Sequence, residues 1–176
     1  MKRIIEQIQA WHLMPLIRRV ILTAVIAGCL GCGSNDGDTL IAPTSEGKNI
    51  LGCRVNQQVW NSTSSITPGY GTFGRFWKGQ LIVFAVHEEV FGKGRDEVIQ
   101  MNCDSITGTG RYVIDSAEFV DKMVDVTYTA PRGVHELTIT ALDTAKGIVA
   151  GTFSFNAGNA SGDSVHITEG RFDFTY

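Results

Sequence analysis

Leu137-Thr138-Ile139-Thr140-Ala141, Asp143-Thr144-Ala145-Lys146-Gly147 and Val149-Ala150-Gly151-Thr152-Phe153-Ser154-Phe155 form the stretch that decides the fold. In its first part Leu137, Ile139 and Ala141 alternate with threonines, and in its last part Phe153 and Phe155 alternate with Thr152 and Ser154. A period of two marks extended chain with one dry face. Between the two runs, Asp143 opens a type I turn and Gly147 supplies the left-handed position that follows it. The segment predicts a β-hairpin.

The same alternation recurs on either side of it. Leu51, Cys53 and Val55 alternate with Gly52 and Arg54; Ile99, Met101 and Cys103 with Gln100 and Asn102; Val124, Val126 and Tyr128 with Asp125 and Thr127. Leu81 to Val86 is an unbroken apolar run, which predicts a central strand covered on both faces. Near the end, Val165 and Ile167 have one parity while Phe172, Phe174 and Tyr176 have the other, and a bulge at Gly170 would return both sets to one side. No stretch of ten residues reads as an amphipathic helix, and residues 116 to 123 are the best place for a short one. The fold class is therefore all-β: an antiparallel β-sandwich of about eight to ten strands, or alternatively a calycin-like closed barrel.

The first residues have a different purpose. Arg18-Arg19, the apolar run from Val20 and then Ile26-Ala27-Gly28-Cys29 have the order of an export signal, with its basic start, short apolar core and small residues before the cut. The core is shorter than the roughly 20 residues that span a bilayer. Residues 1–28 read as a lipoprotein signal peptide, with Cys29 as the acylated residue and Met14 as an alternative start. Leu30, rather than Asp, follows Cys29, so the expected location is the outer membrane, with the chain held through its N-terminal lipid. Residues 29–48, rich in Gly, Ser, Asp and Thr, read as a flexible tether, and residues 49–176 as one β domain. Removing residues 1–28 moves the formal charge from −3 to about −6. That excludes a nucleic-acid partner, which needs a basic footprint.

Cys53-Arg54-Val55-Asn56-Gln57-Gln58-Val59-Trp60 at one end, with Gly151-Thr152-Phe153-Ser154-Phe155 and Gly170-Arg171-Phe172-Asp173 at the other, resembles an uncharacterised family of Gram-negative lipoproteins. The resemblance implies a lipobox, a short tether, an opening strand-turn-strand and a closing pair of strands. It implies no catalytic residues. Gln57-Gln58 stands where that family has Gly-Lys, which removes the glycine that a tight two-residue turn would use.

Candidate chemistry is sparse. Cys53 and Cys103 share parity with the apolar residues of their strands, so both thiols should point inward. They either pair, closing a loop worth about 4 kcal/mol on the chain-entropy model, or are two small buried hydrophobes. His87, His135 and His166 lack the convergent spacing of a metal centre, and no cofactor motif is present. Glu88, Glu89, Asp96, Glu97 and Glu118 would meet only the loosest requirement for a glycosidase pair. More distinctive is Pro68-Gly69-Tyr70-Gly71-Thr72-Phe73-Gly74-Arg75-Phe76-Trp77-Lys78, where aromatic rings interleave with glycine and two cations. Tyr70, Phe73, Arg75 and Trp77 are the candidate ligand-binding residues, suited to stacking on a sugar or a partner peptide. The expected function is that of a lipid-anchored, non-catalytic envelope module that binds a glycan or an envelope protein. A barrel carrying a small apolar ligand and an envelope hydrolase are the alternatives.

Overall fold

The computed structural model describes residues 39–63, 71–89 and 94–176. Its strands are β1 (Ile50–Val55), β2 (Gln58–Asn61), β3 (Phe73–Trp77), β4 (Gln80–Glu88), β5 (Asp96–Cys103), β6 (Gly110–Val113), β7 (Ser116–Asp121), β8 (Val126–Thr129), β9 (Glu136–Asp143), β10 (Ile148–Gly158) and β11 (Ser164–Thr175). All pairings are antiparallel, and the described residues contain no helix. Residues 116 to 123, expected to turn helically, instead form β7 and the start of its turn. Ala117 and Phe119 alternate there with Glu118, a period that suits a strand.

The order along the hydrogen-bonded path is β2-β1-β11-β10-β8-β7-β5-β4-β3, with β9 on β10 and β6 on β9. One arm, β2-β1-β11-β10, meets the other, β8-β7-β5-β4-β3, through the single pair Gly158 and Thr129. The sheet curls strongly into a half-barrel and its two dry faces enclose one core. Among the described residues the hydrogen-bonded path ends at β2 and β3. Trp60, Phe155, Phe174, Leu81, Ile99 and Ile167 fill the interior.

The hairpin forms as its sequence requires. Asp143 Oδ1 accepts from the backbone N–H of Ala145 and of Lys146, both at 3.0 Å, and Gly147 has φ +66°. The bulge in β11 falls just before Gly170: Phe153 pairs with Gly170 and Phe155 with Ile167, so the extra residue lies at Thr168-Glu169, with Glu169 at φ +52°. Val165, Ile167, Phe172 and Phe174 are consequently all buried. Gln57 does not abolish the first turn. Asn56 and Gln57 both take positive φ, +49° and +73°, the signature of a type I′ turn, and Asn56 Oδ1 accepts from the His166 N–H at 2.9 Å.

The folded body starts earlier than the composition of residues 29–48 implies. Ile41 N–H donates to Asn61 Oδ1 at 3.2 Å and Arg171 donates to the Ile41 carbonyl at 3.0 Å. The Asp173 carboxylate accepts from the Thr44 hydroxyl (2.6 Å) and from the N–H groups of Glu46 (2.9 Å) and Gly47 (2.7 Å). A polar segment reads as a tether when its partner is 129 residues away in sequence. Cys29 and the signal-like residues lie outside the described residues.

Candidate functional site

Within β3, Gly74 and Phe76 turn inward and Phe73, Arg75 and Trp77 turn outward. The inward pair fixes the strand. Gly74 lies against Phe174 so closely that a Cβ would run into the ring, and Phe76 meets Tyr176 edge-on, with centroids 5.2 Å apart and planes at 67°. The outward residues are left in solvent: Phe73 is 46% exposed and Trp77 68%.

Register carries this face across four strands. Phe73 pairs with Phe84, Arg75 with Ile82 and Trp77 with Gln80; β5 sets Gln100 beside Phe84 and Asn102 beside Ile82; β7 adds Glu118 beside Gln100 and Ser116 beside Asn102. Two rows result, Phe73-Phe84-Gln100-Glu118 and Arg75-Ile82-Asn102-Ser116, each about 14 Å long at the usual strand spacing. Phe73 and Phe84 stack, with centroids 5.4 Å apart and planes at 20°. A hollow of about 440 Å³ follows these rows from Phe73 to Glu118, and a neighbouring one lies between Trp77, Ile82 and Tyr176.

The polar groups of the face are ordered by one another. Gln100 Nε2 donates to the Glu118 carboxylate, and Gln80 Nε2 donates to Asp104 Oδ1 at 2.8 Å. Lys78 Nζ lies 5.6 Å from the centroid of the Trp77 ring, a cation–π contact. Asn102 Oδ1 is covered and has no hydrogen-bond partner among the described residues.

Of the four sequence-derived ligand-binding candidates, the fold brings Phe73, Arg75 and Trp77 to one face; Tyr70 lies outside the described residues. Reading the sequence missed Gln80, Ile82, Phe84, Gln100 and Asn102. The expectation that Leu81 to Val86 is covered on both sides fails at Ile82, which is 36% exposed. Leu81, Val83 and Ala85 point into the core, and Val86 is buried on the other face, so the double cover is met only at that end of the run. An unbroken apolar run has no parity contrast, so it cannot show which of its residues face outward.

The Cys53–Cys103 disulfide is not made: both thiols are free and buried. Parity placed them correctly on the inside but says nothing of height along the strands. Cys53 pairs with Trp60 and feels the charge of Glu97, at the start of β5. Cys103 ends β5, six residues on, about 20 Å at the strand rise, whereas bridged Cα atoms lie within about 7 Å. Burial, with Glu97 adding to it, pushes the Cys53 thiol far up. Burial and then Asp115 and Asp104 push Cys103 up to about 11, so neither is a ready thiolate.

The histidines disperse. His87 Nδ1 lies 2.6 Å from the Asn61 carbonyl, His135 packs against Phe155 and His166 bonds Asn156. Among the described residues no three metal-ligating groups converge. Of the five acids, Glu88 and Asp96 lie opposite one another across β4 and β5, whereas Glu118 is beside Gln100 on the outer face and Glu97 is on the inner side of β5, in register with His87 and Asp121. Burial raises the Glu97 carboxyl above its ordinary range, opposed chiefly by the Arg95 guanidinium. The nearby Trp60 indole favours its charge, yet Trp60 Nε1 and Glu97 Oε2 are both without a properly aligned hydrogen bond. No family model, no curated protein and no solved structure matches the chain.

Proposed function

We propose that this protein is a non-catalytic binding module of the cell envelope, lipid-anchored through Cys29 at the outer membrane, whose β3-β4-β5-β7 face takes a glycan. The observation that carries the reading is the face on which the exposed Phe73 and Trp77 and the half-buried Phe84 lie beside Gln80, Gln100 and Glu118. Sugars offer apolar C–H faces that stack on rings and hydroxyls that bond to amides and carboxylates, so such a face serves both parts of the ligand. The interior, filled by Trp60 and the phenylalanines of β10 and β11, favours a surface binder over a carrier of small apolar molecules.

A partner protein is the second reading. β3 ends the hydrogen-bonded path, and an end strand with aromatic side chains suits an extended peptide. The test is titration of tryptophan fluorescence with glycans released from the envelope and with envelope protein extract freed of glycan. Quenching by the glycans, abolished in Trp77→Ala, supports the first reading; a response confined to the protein extract replaces it with the second. Incorporation of labelled palmitate into the wild type and not into Cys29→Ala checks the anchor.

A further inference from the structure

The β3 edge of this face carries two cations, Arg75 and Lys78, that no carboxylate pairs. The chain is acidic, with a formal charge of −3, and many of its described cations are already engaged. Lys48 pairs with Glu46, Arg54 and Arg171 with Glu169, Lys122 with Asp96, and Lys146 with Asp143. Arg95 donates to the Val59 carbonyl and to Gln58. Arg75 and Arg111 are not engaged in this way: among the described residues neither has a carboxylate or carbonyl partner, and of the two only Arg75 lies on this face. The contact made by Lys78 is with the Trp77 ring. Arg75 and Lys78 thus border the most exposed large aromatic residue of the binding face, one two positions along the strand and the other over the ring.

Neither Asp104 nor Glu118 forms an ion pair with these cations. The Asp104 carboxylate accepts from Gln80 rather than from a cation, and Glu118 is held by Gln100 on the neighbouring strand. Cations therefore flank Trp77 at the β3 edge, with Asp104 bound to the neighbouring Gln80 and a second amide-bound carboxylate, Glu118, at the β7 side. A guanidinium offers paired N–H donors that match a carboxylate, and an ammonium above a ring can pair with an anion while the ring stacks on the sugar that bears it.

Resting on the glycan-binding reading, we infer that the ligand is an acidic saccharide, with its carboxylate between Arg75 and Lys78 and its ring against Trp77. Neutral chains of the same geometry are bound more weakly. The attraction is partly exposed, so salt screens it.

The test uses the full chain on an array of paired saccharides, in which uronate- and sialate-bearing chains are each printed beside the neutral counterpart of the same length. The expected result is at least tenfold stronger retention on the acidic members. Arg75→Gln with Lys78→Gln should remove that preference while keeping the residual neutral binding, and Trp77→Ala should remove both. Equal retention of acidic and neutral members overturns the inference and leaves the glycan module standing. Retention of neither overturns the glycan module itself. Because Arg75 and Lys78 make no described contact with the core, circular dichroism of the double variant should match the wild type, and a preference that survives in a folded double variant also overturns the assignment.

Discussion

The two arms of the half-barrel share one core but treat their outer faces in opposite ways. On the β1-β11-β10 arm, residues 39–48 lie across the strands, with Asp173 pinned beneath them and only 1% exposed. On the β3-β4-β5-β7 arm, Phe73, Trp77 and Ile82 stay in water. The first arm covers a polar group with main-chain donors, which is a structural solution. The second leaves aromatic surface uncovered, which costs solubility and gains nothing for the fold, so the open face is where binding is to be sought.

The comparison is broken most directly at Asp173. Burial opposes its ionisation, but the Thr44 hydroxyl and the N–H groups of Glu46, Gly47 and Lys48 outweigh burial and hold the carboxyl below its ordinary range. Asp173→Asn turns amide hydrogens toward those donors and should cost about 2–3 kcal/mol, in line with hydrogen bonds to a charged group. Urea unfolding followed by tryptophan fluorescence measures it. The pH dependence has a definite sign: a carboxyl lower in the folded state stabilises above its unfolded value of about 3.9, and that stabilisation is lost as acid brings the pH down through the folded value. The wild type should therefore weaken below about pH 4 more steeply than Asp173→Asn.

Glu97 should behave in the opposite sense. Its carboxyl is raised by burial, so its favourable contribution is complete below the unfolded value of about 4.3 and declines as the pH rises through the folded value. Glu97→Gln removes that decline. It should stabilise the protein at neutral pH, by no more than about 1 kcal/mol since solvent screens this partly exposed group, and flatten the stability profile above the unfolded value, as seen in melting temperature against pH. A destabilised Glu97→Gln at neutral pH would show that the carboxylate is needed there as an ion.

How much of this was legible in the residues depends on which information each position carries. Alternation revealed the strands around Cys53, Met101, Ile139 and Phe153 but not β7, Asp143 and Gly147 revealed the hairpin, and the parity change around Gly170 a bulge, because each is written within a few neighbouring residues. Facing direction was legible too, for Cys53 and Cys103 both point inward. Their separation along the strands was not, since height depends on strand register, and register is set by pairings between distant segments. The same reason hid the hold of Asp173 on Thr44 and the meeting of Phe73 with Phe84. The aromatic face was half visible: the stretch from Phe73 to Lys78 stood out for its rings and cations, but Ile82 and Phe84 sit in an apolar run that reads the same for either face.

Gln57 offers a smaller effect. With φ at +73°, it occupies a region that costs a residue with a Cβ about 1 kcal/mol or more, while glycine pays part of this back through the entropy of the unfolded chain. Gln57→Gly should raise stability by about 0.5 kcal/mol. A loss instead would mean that the side chain contributes more than its backbone strain.

The smallest expected effect on stability belongs to Trp77, and it sharpens the comparison most. If the open face were merely a poorly covered part of the core, removing its largest ring would weaken the fold as core truncations do, by about 3–5 kcal/mol. Trp77 is 68% exposed, its described ring contact is with Lys78, and the neighbouring Phe76 already supplies the inward contact with Tyr176. Trp77→Ala should therefore change unfolding free energy by no more than about 0.5 kcal/mol, as for surface positions, while saccharide retention falls away. Loss of stability and loss of binding are thus assigned to different arms. A Trp77→Ala protein destabilised as severely as Asp173→Asn would place both arms in the same structural role and remove the ground for seeking the ligand on this face.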